Sequence, residues 1–309
     1  EATSTQPSCS PAIVCAADVS LVGRDADRLD EIFADIKPEI VFHAAALKHL
    51  PLLEKAPMEA VKSNIGGTQN VLAAAEKHGV DAFINISTDK AANPTSVLGF
   101  SKRITERVTA EADAGNHGRY LSVRFGNVLG SRGSMLSVFS AQIAKGGPVT
   151  VTHPDITRYF MTIPEAVLLV LQASVVGRGG EVLILDMGDP IRIADVAERL
   201  IRHSGRQIDI VFTGLSDGEK LHEDLLSIGE DGTRPFHAKI THVPVAPLRP
   251  IPVEAVPVMD NPGVRVWLAQ SAAADDAAAV ADGDAAHGGQ IPAIRQGSPA
   301  TTEPPRDDS

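Results

Sequence analysis

The apolar positions of this chain fall into short runs parted by polar turns, and two periods alternate along it. Glu39-Ile-Val-Phe-His43, Ala82-Phe-Ile-Asn-Ile86, Tyr120-Leu-Ser-Val-Arg-Phe125, Glu181-Val-Leu-Ile-Leu-Asp186 and Ile208-Asp-Ile-Val-Phe212 read as buried strands. Arg28–Phe33, Met58–His78, Ser101–Glu111, the stretch opened by Pro164 and Asp195–His203 instead repeat apolar residues at helical spacing. Gly66-Gly67 interrupts the second of these, and Pro164 suits a first helical turn. Strands alternating with helices predict an α/β fold around a parallel sheet.

At the ends the pattern fades. Residues 1–11, rich in Ser, Thr and Pro, read as a disordered lead-in, and Ala12-Ile-Val-Cys-Ala-Ala-Asp18 as a short strand ending in an acid. Beyond about Val245, Pro, Ala, Asp and Gly dominate, so residues 246–309 read as a disordered tail with at most a frayed helix around Ala269–Asp282. Between lie a sheet domain over 12–145 and a smaller α/β lobe over 146–245 that partly returns to the sheet.

The polar residues that matter most follow the second strand. Ser87-Thr-Asp-Lys90 comes directly after it, Asn93-Pro94 ends the loop, and Leu98-Gly-Phe-Ser-Lys102 opens the next helix. In open α/β sheets, ligands bind outside the carboxyl ends of strands. Thr88, Asp89 and Lys90 supply a hydroxyl, an acid and a potential base in consecutive positions. In isolation, four such residues are also what a solvated turn contains. Two further loops have the same placement: Ala44-Ala-Ala-Leu-Lys-His-Leu-Pro51 after the first strand, and glycine-rich Gly126-Asn-Val-Leu-Gly-Ser-Arg-Gly-Ser134 after the third. The alanines allow close backbone approach, and the glycine-rich turn can offer N–H groups to an anion.

Composition narrows the chemistry. With 309 residues, 43% hydrophobic and 22% charged, the chain is long enough for one large core or two modest ones. A formal net charge of −11 argues against a nucleic-acid backbone as partner. Cys9 and Cys15 are too few for a disulfide framework or a structural zinc site, so no metal is expected and a reducing compartment is. The apolar run Glu165–Gln172 is too short to cross a bilayer.

From about Arg24 to about Val243 these motifs resemble the nucleotide-sugar 4,6-dehydratases of the extended short-chain dehydrogenase/reductase superfamily. The likeness is to the polysaccharide-biosynthesis branch acting on UDP-N-acetylglucosamine, in which Thr-Asp-Lys-Ala precedes Asn-Pro and a Tyr/Met-x-x-x-Lys helix. The resemblance implies a Rossmann-type parallel sheet, NAD as cofactor, a UDP-sugar as substrate, a cytoplasmic location and a homo-oligomeric assembly. It further implies that Asp89 protonates the departing C6 hydroxyl, Lys90 takes the C5 proton, Thr88 hydrogen-bonds the C4 oxygen and Lys102 holds the nicotinamide ribose. Asp18 (or Asp25), Ala44, Ala45, Ala46, Asn64 and Ser87 fall on the cofactor side, and Lys48, Asn127, Arg158 and Glu219 on the substrate side.

Three features of the sequence stand apart from that pattern. Leu98 occupies the place of the usual Tyr and can neither accept nor donate a proton. A lysine base must first be neutral, which at its reference pKa costs roughly 4 to 5 kcal/mol at neutral pH. Finally, no glycine-rich pyrophosphate turn precedes Glu39, and the chain opens at Glu1, so the first βαβ portion is expected to be missing, with weakened stability and NAD affinity. An inactive fragment or nucleotide-sugar-binding pseudoenzyme is the alternative in a different class, and a 4-epimerase the lesser one.

Overall fold

In the computed structural model, residues 23–273 are described, apart from 116–117, 132 and 257–258. In chain order they form α1 (Ala26–Ile36), β1 (Ile40–His43), α2 (Leu50–Lys55), α3 (Pro57–Ala60), a π-helical stretch (Val61–Gly66), α4 (Gly67–Lys77), β2 (Ala82–Ile86) and α5 (Val97–Ala114). Then come β3 (Arg119–Arg124), β4 (Asn127–Val128), α6 (Met135–Ala144), β5 (Val149–Val151), β6 (Thr157–Arg158), β7 (Phe160–Met161) and α7 (Ile163–Val176). β8 (Glu181–Leu185), β9 (Ile191–Arg192), α8 (Ile193–Ser204), β10 (Ile210–Phe212), β11 (Ile240–Pro244) and α9 (Asn261–Ala273) complete them.

The main sheet has the order β1-β2-β3-β8-β11, with the first four strands parallel and β11 antiparallel to β8. Alternation along β2 explains its burial on both faces. Phe83 packs with Leu29, Ile65, Leu72 and Ile104 under α1, α4 and α5, while Ala82 and Ile84 pack with Leu121, Leu169 and Leu183 under α7. Helix entries follow side-chain capping: Asp25, Ser96 and Thr162 accept from backbone N–H groups of α1, α5 and α7. Ile40 and Phe42 on β1, the outer strand of the described sheet, are exposed.

Two parts differ from the expectation. Of the tail expected over 246–309, the described part does not stay loose: α9 buries Val264, Trp267 and Leu268 in the same core as Phe83 and Ile104, and residues 274–309 lie outside the described residues. Each such side chain contributes about 1.5–3 kcal/mol on burial, enough to hold a helix of modest amphipathicity that composition hides. Moreover, α6 lies before position 146 yet packs with the lobe, its Phe139 and Ile143 meeting Val149, Val151, Ile156, Ile193 and Ala197. The strand expected over 12–18, the lead-in over 1–11 and Asp18 lie outside the described residues.

Register places the site. Ile86 pairs with Val123, so β2 and β3 end side by side, and the backbone continues the contact as Ser87 N–H donates to Val123 O (2.7 Å) and Asp89 N–H to Phe125 O (3.0 Å).

Candidate active site

Past β2 the chain turns through a single 3₁₀ turn, Asp89–Ala91, capped by the Thr88 hydroxyl, which accepts from Lys90 N–H. That short turn points consecutive side chains into one place. Asp89 is fully buried; its Oδ1 accepts from the Thr88 hydroxyl at 2.9 Å and from Lys90 Nζ at 3.0 Å. Its Oδ2 has no hydrogen-bond donor among the described protein groups. Gly126 faces that oxygen: a Cβ there would stand 2.8 Å from Asp89 Oδ2 and 3.0 Å from Tyr159 Cβ, so a side chain at this position would displace the acid. On the other side, a Cβ on Gly99 would meet Lys90 O at 2.3 Å, so glycine lets α5 begin directly against the turn.

Lys90 Nζ also reaches Asn127 Oδ1 and Glu223 Oε1, both at 3.5 Å. Burial pushes this ammonium down, but the carboxylates of Asp89 and Glu223 outweigh it and hold Lys90 above the usual lysine range. Glu223, itself buried, lies 3.8 Å from Arg158 Nε, and Arg158 NH2 donates to Glu219 Oε1 at 3.2 Å. Arg158 is further fixed by donation to the carbonyls of Thr157 (2.7 Å) and Leu221 (3.3 Å). The structure therefore brings Thr88, Asp89, Lys90, Asn127, Arg158 and Glu219 together, and joins the last two as an ion pair. Burial, followed by the charges of Asp89, Asp224 and Asp189, pushes the Tyr159 phenol up, so it stays a donor.

A second group gathers behind β1. Asn64, on the π-helical stretch, accepts from Leu47 N–H (2.8 Å) and donates to Leu47 O (3.1 Å) and the Ser101 hydroxyl (3.0 Å). This paired bond pins the loop Ala44–His49 to the π-helical stretch, and through Ser101 to α5, with Ala44 exposed and Ala45 and Ala46 half-buried. Lys102 is buried on α5, and burial pulls it down to about 8 against the opposing charge of Glu106. Burial and the Lys102 charge pull His43 down to about 3, leaving a neutral ring hydrogen-bonded to Thr68 (3.0 Å). Lys48 is exposed on the rim, its Nζ 3.5 Å from the Ser131 hydroxyl. Leu98 packs into the core beside Val97 and Phe100.

Ser87 belongs to a third group. Its hydroxyl donates to Glu106 Oε1 at 2.6 Å, and Glu106 pairs with fully buried Arg124. Arg124 gives two hydrogen bonds to Glu106, two to Glu230 and one to Leu225 O. Burial alone would push Glu230 up, but Arg124 and the Ser227 N–H carry it down to about 2. Because Leu225 and Glu230 lie between β10 and β11, this clamp holds the loop that also carries Glu219 and Glu223.

Glu223 and Tyr159 are the site residues that sequence reasoning did not name. Glu223 stands four residues after Glu219 and beside Asp224, and the second acid of that spacing was the available signal.

Over residues 9–245 the sequence matches the family described as polysaccharide biosynthesis protein. It is 52% identical over 217 residues to the capsular polysaccharide biosynthesis protein CapD of Staphylococcus aureus, covering 69% of this chain and 36% of CapD. To the UDP-N-acetylglucosamine 4,6-dehydratase (inverting) of Campylobacter jejuni it is 37% identical over 208 residues, 66% of this chain and 60% of that protein. A UDP-glucose 4-epimerase of Rickettsia canadensis is 40% identical over 192 residues, 61% of this chain and 56% of its own length. The chain thus spans between about a third and three fifths of these relatives. Among solved structures, Pen from Bacillus thuringiensis superposes with a TM-score of 0.67 at 31% identity, over 80% of this chain and 79% of that one. The dTDP-glucose 4,6-dehydratase DesIV from Streptomyces venezuelae, solved with NAD bound, shares the fold with a TM-score of 0.61 at 18% identity, over 67% and 70% of the two chains.

Proposed function

The chain belongs to the polysaccharide biosynthesis protein family, and we propose that it carries the catalytic centre of an NAD-dependent 4,6-dehydratase acting on a UDP-N-acetyl-hexosamine. The observation that carries this reading is the convergence of Thr88, Asp89 and Lys90 on one point past β2, with Leu98 buried as an apolar side chain where a reductase has its tyrosine. The product is the 4-keto-6-deoxy sugar, destined for a surface polysaccharide or glycan. In this reading the protein is a lyase.

The pinned alanine loop and Lys102 suit NAD. Small side chains at Ala44–Ala46 leave room for a planar group, Asn64 keeps the loop in place, and a buried lysine is a donor for ribose hydroxyls. Held there, NAD would supply the hydride acceptor for C4 and the hydride donor for C6. The rest falls to this chain's own side chains. Thr88 hydrogen-bonds the C4 oxygen, whose proton passes to solvent, Lys90 takes the proton from C5 and returns it once C6 is reduced, and Asp89 delivers a proton to the departing C6 hydroxyl and regains one from solvent. Asn127 and Arg158 hold the diphosphate, Arg158 through paired charge-assisted hydrogen bonds once it releases Glu219.

Incubating the chain with NAD and UDP-N-acetylglucosamine and following the sugar nucleotide by mass spectrometry tests this. Loss of one water supports the dehydratase. A UDP-hexose converted at unchanged mass supports the 4-epimerase reading favoured by the Rickettsia relative. Nucleotide-sugar binding with no conversion supports the pseudoenzyme reading.

A further inference from the structure

We infer that Glu223 is a positioning residue for Lys90, the ion-pair partner its ammonium has outside its own turn, and that Lys90 acts as a base only when Glu223 lets go of it. This rests on the dehydratase reading only for what Lys90 does next; the coupling between the two side chains stands on geometry.

A lysine ammonium has three N–H donors and no acceptor. Lys90 Nζ has three oxygens around it: Asp89 Oδ1 at 3.0 Å, Asn127 Oδ1 at 3.5 Å and Glu223 Oε1 at 3.5 Å. The first two are hydrogen bonds and the third an ion-pair contact, surroundings that suit an ammonium. A neutral amine, with two N–H bonds and a lone pair, would turn that lone pair toward one of these oxygens, so forming the base requires one acceptor to leave. Asp89 is tied to the 3₁₀ turn and to the Thr88 hydroxyl, and Asn127 sits in the β4–β7 pair. Glu223 alone comes from an irregular stretch, the connection between β10 and β11, and has another cation to turn to, Arg158 Nε at 3.8 Å. Its Oε2 has no donor among the described protein groups although the residue is 7% exposed, so the carboxylate is free to re-pair without breaking a second bond.

The charged groups facing Lys90 are Asp89 on its own turn, Glu223 from the β10–β11 connection and Arg158 from β6, with Glu219 on the far side of Arg158. When an anionic ligand engages Arg158, the pairings of Glu219 and Glu223 are redistributed together.

Carbon-13 NMR of lysine-labelled chain, with Lys90 assigned through K90M, reads the titration of this amine directly. In E223Q, which keeps the oxygen acceptor but removes its charge, the Lys90 signal is expected to titrate at least about one unit lower than in wild type. Where turnover is measurable, the ascending limb of the pH–rate profile, which follows deprotonation of the base, moves to lower pH with it, whereas a purely structural role would lower the rate equally at all pH. If E223Q does not fold, E223D keeps the charge on a shorter arm, and a Lys90 titration displaced below wild type is again expected. A Lys90 titration within about 0.3 unit of wild type in the folded variant overturns the inference. If wild type converts no UDP-sugar while Lys90 still responds to E223Q, the dehydratase reading fails and the coupling stands.

Discussion

Arg124 and Lys90 are both cations set among carboxylates near the ends of adjacent strands, yet their surroundings differ in completeness. Arg124 is fully buried and places its five hydrogen bonds on Glu106, Glu230 and Leu225 O at 2.7–3.2 Å. A guanidinium has five donors, so nothing is left over. Around Lys90, two of the three acceptors stand at 3.5 Å, and Asp89 Oδ2 and Glu223 Oε2 find no donor among the described protein groups. Closed networks of this kind lock backbone segments together. Open ones leave polar capacity for something else, at a cost in stability that the closed network helps to offset.

That contrast separates stability from activity, and substitutions test it. The largest expected effect is at the open cluster: Asp89→Asn lowers turnover about 10²–10⁴-fold with a smaller loss of stability than at the closed cluster, since Lys90 keeps Glu223 as a counter-ion. An equal loss of both in this variant would erase the distinction. At the closed cluster, Arg124→Met removes the fully buried cation between Glu106 and Glu230, leaving them only Arg103 in common, and costs about 3–5 kcal/mol in urea unfolding. A cost under about 1 kcal/mol would mean the clamp is ornamental.

Next comes Lys102, whose folded value of about 8 lies below its ordinary 10.5. The folded protein therefore pays for the ammonium below pH 8, and the penalty disappears as pH rises from 8 to 10.5. Lys102→Met should stabilise the fold at pH 7 by on the order of 3 kcal/mol and have little effect above pH 10.5, read from melting curves across that range. Last comes Glu230, held at about 2 instead of 4.5. Its contribution is present above pH 4.5 and lost as pH falls through 2, so Glu230→Gln should flatten the acid limb of the stability curve in that window, by at most about 1.4 kcal/mol per pH unit.

Local chemistry was legible in the sequence and long-range chemistry was not. The run Ala82–Ile86 announced a strand buried on both faces, and Thr88-Asp89-Lys90 announced a polar cluster at its end, because both depend on neighbours in the chain. The π-helical stretch and Asn64's hold on Leu47 were half visible: the reading placed a glycine break there, whereas the helical path continues through Gly66 and Gly67. Glu106, Arg124 and Glu230 were not legible at all, for Arg124 meets Glu230 across 106 positions and each alone reads as a surface charge. Helix α9 escaped for a related reason. Its large apolar residues are confined to Val264–Leu268, and what orders them is a core assembled from chain far upstream.

The π-helical stretch has a geometric meaning of its own. Each α-helical residue advances the azimuth by about 100°, and a π turn absorbs one residue more than an α turn does. Val61–Gly66 therefore acts as a phase shifter between α3 and α4: the faces on either side of it are set by two different origins. Removing a single residue from this stretch would let the segment relax into continuous α-helix and rotate Asn64 away from Leu47 by roughly a quarter turn, unfastening the alanine loop while every residue that lines it stayed in place.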